Sequence, residues 1–108
     1  MTAFDAATRE IVKSRSGGRC ELCGSRIEVA HFHHRRPRGM GGSRSNATGA
    51  ASNCLVLHSG CHADIESNRQ RALDNGWLVS QWKDPATIPV KRWDGLFLLS
   101  DDGTVSPA

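Results

Sequence analysis

Apolar and polar positions along this chain follow two periods, and the switch between them marks its elements. In the first segment Ala7, Ile11 and Val12 recur at helical spacing, Asp5 stands where an N-cap belongs, and Gly17-Gly18 stops the run. The spacing predicts a helix over 6–16. From Ile27 the pattern changes to alternation, which predicts a strand over 27–33. On such a strand His31 and His33 share one face; Phe32, and His34 if the strand continues, take the other. Pro37 and the glycines Gly39, Gly41 and Gly42 then open a loop reaching to about Ser52. The apolar run Cys54–Leu57 predicts a second strand, and 61–75 reads as a helix ended by Gly76. Two further strands are predicted over 77–82 and 93–100. Asp84-Pro85 and Pro89 form a loop between them, Asp101-Asp102-Gly103 forms a turn, and the last residues are expected to fray. The result is an α+β chain, with a core over 1–75 and a β-rich tail over 76–108 packed on the same single domain.

Composition changes this picture in one respect. Leu, Ile, Val and Phe together number only 21 of 108 residues, close to the ~20% below which disorder becomes the expectation. The net charge of +3 is too small to enforce disorder. A thin core in a small chain points instead to a staple. All four Cys and all five His lie between Cys20 and His62. The N-terminal MTAFDAATREIVK has no apolar core of a secretory leader, and no apolar run approaches the ~20 residues that span a bilayer. A cytoplasmic location without membrane attachment is expected, where thiols favour metal over disulfides.

Charge is uneven. Residues 9–44 carry nine Arg and Lys against three Glu, whereas the chain from Ala72 onward is mildly acidic. Arg outnumbers Lys eleven to three. Arg binds phosphate oxygens in pairs, so the basic half suits a polyanion. The ordinary alternative is a solvated surface.

Structural zinc takes four ligands in a tetrahedron, often as two short-spaced pairs. Cys20 and Cys23 form one pair at C-x2-C; His58 and Cys61 form another at H-x2-C. Cys54 competes with His58 for the fourth position, although a Cys in an apolar strand commonly packs as a small hydrophobe. His31 reads as an ordinary strand residue. His33, His34 and His62 are left over. If the two pairs meet at one zinc, Cys61 anchors His62 near the first strand. A His from the strand and a His from the helix then make half of a divalent-metal site, and Glu66, one turn after His62, can point the same way.

The stretch His33-His34-Arg35-Arg36-Pro37-Arg38-Gly39-Met40-Gly41-Gly42, followed by Asn53-Cys-Leu-Val-Leu-His58-Ser-Gly-Cys61-His62, resembles the HNH endonucleases, in particular the small zinc-stapled, phage-encoded type. The resemblance covers about 20–75, with His34, Asn53 and His62 as the three lettered positions. The tail also looks like those appended to phage members. Two departures stand out: the family's usual first Cys of the second knuckle is His58 here, and Glu66 stands where some members have a His. The resemblance implies a ββα-metal (His-Me finger) core and a metal-dependent hydrolysis of DNA, with weak sequence preference. His34 would be the general base. His33, His62 and Glu66 would hold one catalytic divalent ion (Mg²⁺, Mn²⁺, Ni²⁺ or Zn²⁺). Cys20, Cys23, His58 and Cys61 would hold structural Zn²⁺. Asn53 would orient His34 or touch the metal, and Arg35, Arg36, Arg38 and Arg44 would contact phosphates. The implied partners are double-stranded DNA and phage terminase or portal proteins, in the host cytoplasm. The competing reading is a non-catalytic zinc-ribbon module that binds DNA or assists packaging. The three Trp are expected to build the tail's small core.

Overall fold

The computed structural model describes residues 4–37 and 49–108. It is α+β, with two small antiparallel sheets. Helix α1 (Ala6–Ser16) begins where Asp5 accepts a hydrogen bond from Thr8 N at 2.7 Å and ends at Gly17, whose φ of 64° lets its N–H close on Lys13 O. Strand β1 is His31–His34 and β2 is Cys54–Leu57; they pair antiparallel, His31 opposite Leu57 and His34 opposite Cys54.

All four residues of β2 are buried. Its period of two divides them between two cores. Leu55 and Leu57 pack with Cys20, Ile65, Ala72, Trp77, Leu78, Val90 and Leu99, whereas Cys54 and Val56 pack with Phe4, Val12 and Ala51. The first of these clusters joins residues from both sides of position 75. The register carries the same division onto β1. Phe32 packs on the Phe4 side and the His34 ring stacks on Phe4 at 4.0 Å, while His31 and His33 take the other face.

On that other face the predicted single helix over 61–75 is two: α2 (Ser59–Ser67) and α3 (Arg69–Asp74), hinged at Asn68 with φ −132° and ψ 65°. Ser67 and Asn68 compete with the helix for backbone hydrogen bonds, and Asn68 Nδ2 donates to Asp64 O. The bend buries Ile65 and Ala72 in one core. The first predicted strand is shorter than expected: Ile27 N donates to Gly18 O beside the Arg19–Arg26 bridge, and the chain bends at Glu28 and Val29 before β1 begins.

The tail departs more. The apolar segment after Gly76 is buried but is not a strand: Trp77 N and Leu78 N both donate to Ala72 O, and Val79 N donates to Arg35 O at 2.7 Å. Gly76 permits this with φ 74°; a Cβ there would lie 2.0 Å from Pro89 O. The tail's sheet is a three-stranded meander of β3 (Val90–Arg92), β4 (Gly95–Leu99) and β5 (Val105–Pro107), the last where fraying was expected. Trp93 sits in the β3–β4 turn. Only Trp77 joins the core; Trp93 is half exposed and Trp82 is almost fully exposed.

Two buried ionic groups tie the layers together. Glu21, directly after Cys20, is fully buried and takes both Arg15 Nε and Nη2, while its Oε1 also accepts from Val56 N of β2 at 3.0 Å. Arg92 Nε lies 3.4 Å from its other oxygen. Arg35 is buried as well and donates to four carbonyls: Gly76 O, Ser52 O, Pro85 O and Ile88 O. Burial, with repulsion from Arg15, lowers its pKa to about 10, which leaves it charged at neutral pH. Its five donors match a spread of acceptors that a single ammonium does not reach. Arg35→Lys is therefore expected to cost about 3 kcal/mol or more, since stranded buried carbonyls cost ~1–3 kcal/mol each. Urea unfolding measures it, and an unchanged midpoint contradicts this assignment.

Candidate metal centres

The first centre is built by two turns. Cys20 and Cys23 flank a tight loop in which Gly24 N donates to Cys20 O and Cys20 N to Ser25 O, both at 2.8 Å. Gly24 adopts φ 77°, and a Cβ there would meet the Trp93 ring at 2.7 Å. His58 caps α2 and Cys61 follows in its first turn. Together the four residues offer one ligand atom each, all within 4.8 Å of one another. His58 Nε2 lies 3.1 Å from Cys61 Sγ.

Electrostatics within this cluster point the same way. Against a burial that raises it, hydrogen bonds from Ser25 pull the Cys23 thiol down to about 6. Burial first, then neighbouring Cys20 and Cys23, push the Cys61 thiol up. Three thiolates this close repel one another, and a cation removes that conflict. The donor set of three S and one N is that of structural zinc, and the cluster can hold such a metal. Gly60 N donates to His58 Nδ1 at 3.0 Å; were Nε2 to hold the metal, the ring proton would sit on Nδ1 and the exposed Gly60 N–H would turn to solvent. Cys54 is not in the cluster. It lies on the opposite face of β2, where burial raises its thiol to about 12.

The second group is His33, His62 and Glu66, again with one ligand atom each inside 4.8 Å. β1 supplies His33; His62 and Glu66 are one turn apart on α2. His33 is buried, and its Nε2 lies 2.8 Å from Trp77 O. A carbonyl only accepts, so Nε2 carries the proton and Nδ1 keeps its lone pair. Burial, outweighing that bond, lowers the His33 pKa to about 4, so the ring is neutral at pH 7. A neutral imidazole whose other nitrogen is fixed by a carbonyl is the usual preparation of a metal ligand. Glu66 is exposed and, among the described residues, makes a weak surface pair with Arg69, 3.4 Å away.

The remaining expected site residues divide. Asn53 is buried and engages backbone: its Oδ1 accepts from Arg36 N at 2.6 Å and its Nδ2 donates to Arg36 O. His34 lies on the face of β1 opposite His33, against Phe4. Arg35 and Arg36, expected on phosphate, are buried in the fold instead; Arg36 Nη1 donates to Lys83 O. They fail as surface contacts because their guanidinium groups satisfy the carbonyls of the loops they cross. Arg38 and Arg44, with the glycine loop, lie outside the described residues.

No family model, curated protein or solved structure matches the chain. No helix among the described residues is long and apolar enough to cross a membrane.

Sequence reasoning passed over His31. Its Nδ1 lies 3.2 Å from His62 Nδ1, and the two rings meet edge-to-face at 5.4 Å. The i, i+2 spacing to His33 was the available signal, since both stand on one strand face. The Trp77 carbonyl had no sequence signal.

Cys23 is exposed, so Cys23→Ser opens no cavity and isolates its role as a ligand. The parent is expected to carry one tightly held zinc, and Cys23→Ser to melt on the order of 10 °C lower or more. A melting curve insensitive to both the substitution and a chelator contradicts a structural zinc.

Proposed function

We propose that this protein is a metal-dependent endonuclease of the HNH type, which hydrolyses DNA phosphodiester bonds with weak sequence preference. The observation that carries the reading is the His33–His62–Glu66 group, with His33 neutral and its Nε2–H given to Trp77 O. β1 bears His33 and α2 bears His62 and Glu66, with β2 paired to β1 and lying between them in the chain, an order that suits a ββα-metal arrangement.

His33, His62 and Glu66 hold a divalent ion, which when bound supplies charge stabilisation to the scissile phosphate and the leaving 3′-oxygen. His34 follows His33 on β1 but stacks on Phe4 on the opposite face, so to take the proton from the attacking water its ring would have to turn toward the ion. Asn53 acts through backbone: by gripping Arg36 it fixes the chain just after His34. Arg38 and Arg44 are assigned to phosphates, whereas Arg35 and Arg36 brace the fold through backbone carbonyls. Double-stranded DNA is the substrate, and work beside a phage terminase is the setting. A non-catalytic zinc module explains the thiolate cluster equally well but gives no purpose to the buried neutral His33.

Plasmid nicking with Mg²⁺, Mn²⁺ or Ni²⁺ tests the proposal. The parent is expected to nick; His62→Ala is expected to lose activity, and His34→Ala to lose about 10²-fold or more. No cutting by the parent with any of these ions favours the binding module. Equal cutting by His34→Ala moves the base to another group.

A further inference from the structure

His33 and His62 each have one ring nitrogen committed to a protein partner. For His33 the partner is a carbonyl, and the direction of the bond is fixed. For His62 it is another imidazole: His62 Nδ1 and His31 Nδ1 are 3.2 Å apart, so one donates and the other accepts. His31 and His33 stand on the same face of β1, and the His62 ring on α2 meets both, at centroid distances of 5.4 and 5.3 Å.

The two directions of the His31–His62 bond have different consequences. If His31 donates, the Nδ1 lone pair of His62 is used, and the neutral ring carries its proton on Nε2. Such a ring has no lone pair left for a metal. If His62 donates, its Nε2 keeps a lone pair. His31 then carries its own proton on Nε2. His31 is only half-buried and borders an open surface cavity that Arg26, Glu28 and His58 also line, so water can accept that proton.

We infer that His31 is a positioning residue of the divalent-metal site: it accepts a hydrogen bond from His62 Nδ1–H and so presents His62 Nε2 to the metal. This rests on reading His33, His62 and Glu66 as a metal site. His31 does for His62 what Trp77 O does for His33. Partners of this kind typically change metal affinity 10–100-fold when removed.

The test uses the 108-residue chain loaded with one equivalent of zinc. Mn²⁺ binding is measured calorimetrically for the parent, His31→Ala and His31→Asn; ¹⁵N-detected histidine spectra of the same zinc-loaded protein give the tautomers. Asn can place its Oδ1 near the position of the His Nδ1 and accept the same bond. The parent is expected to bind one Mn²⁺, His31→Ala about 10–100-fold more weakly, and His31→Asn to recover most of the loss. Before Mn²⁺ is added, His62 is expected as the Nδ1–H tautomer. A parent that takes up no Mn²⁺ overturns the metal-site reading and the inference with it. A parent that binds while His31→Ala binds equally well, or a His62 proton found on Nε2, overturns the inference alone.

Discussion

The antiparallel pairing of His31–His34 with Cys54–Leu57 is the constraint on which the rest of the structure depends. A strand alternates its side chains, so fixing the register fixes which residues face which core. Leu55 and Leu57 go to the cluster built with Ile65 and Trp77, and His31 and His33 go with them toward α2. Cys54 and Val56 go to the Phe4 side, and His34 with them. A slip of one residue would exchange these sets and disperse the candidate metal ligands. The register is therefore guarded. Glu21 binds Val56 N from one side of β2, and the Asn53 amide bonds both backbone groups of Arg36 just beyond β1. Both anchors are buried, where broken polar contacts are costly.

The two candidate centres are coupled by one covalent neighbour. Cys61 belongs to the sulfur-rich cluster, and the next residue, His62, belongs to the second group. Both lie in the first turns of α2, capped by His58, which is itself a member of the first cluster. A metal held by the thiolates therefore fixes the N-terminus of the helix that presents His62 and Glu66. Such an ion would supplement two hydrophobic clusters that are small in a chain with so few Leu, Ile, Val and Phe.

Much of this was legible in the sequence because it rests on local rules. The Asp5 cap, the glycine stop at Gly17, the apolar run of β2 and the C-x2-C and H-x2-C spacings each act over a few residues. Both donor groups follow from that spacing once the strands pair. The rest was not legible, for reasons that lie in tertiary contacts. Arg35 read as a surface cation, but four carbonyls from separate loops converge on it. The run after Gly76 read as a strand, but its N–H groups are taken by Ala72 O and Arg35 O. Trp82 and Trp93 read as core, whereas alternation and aromatic content alone do not say which face is covered. His31 read as an ordinary strand residue because its partner, His62, is brought to it only by the packing of α2 on β1.

In the proposed reading His33, His62 and Glu66 hold a divalent ion distinct from the one held by the cysteines. Anomalous diffraction from crystals grown with Mn²⁺ tests it most directly. A manganese peak is expected within bonding distance of His33 Nδ1, His62 and Glu66, with a separate zinc peak among Cys20, Cys23, His58 and Cys61. A zinc peak alone, with the His33 and His62 rings in place and no manganese between them, would contradict it.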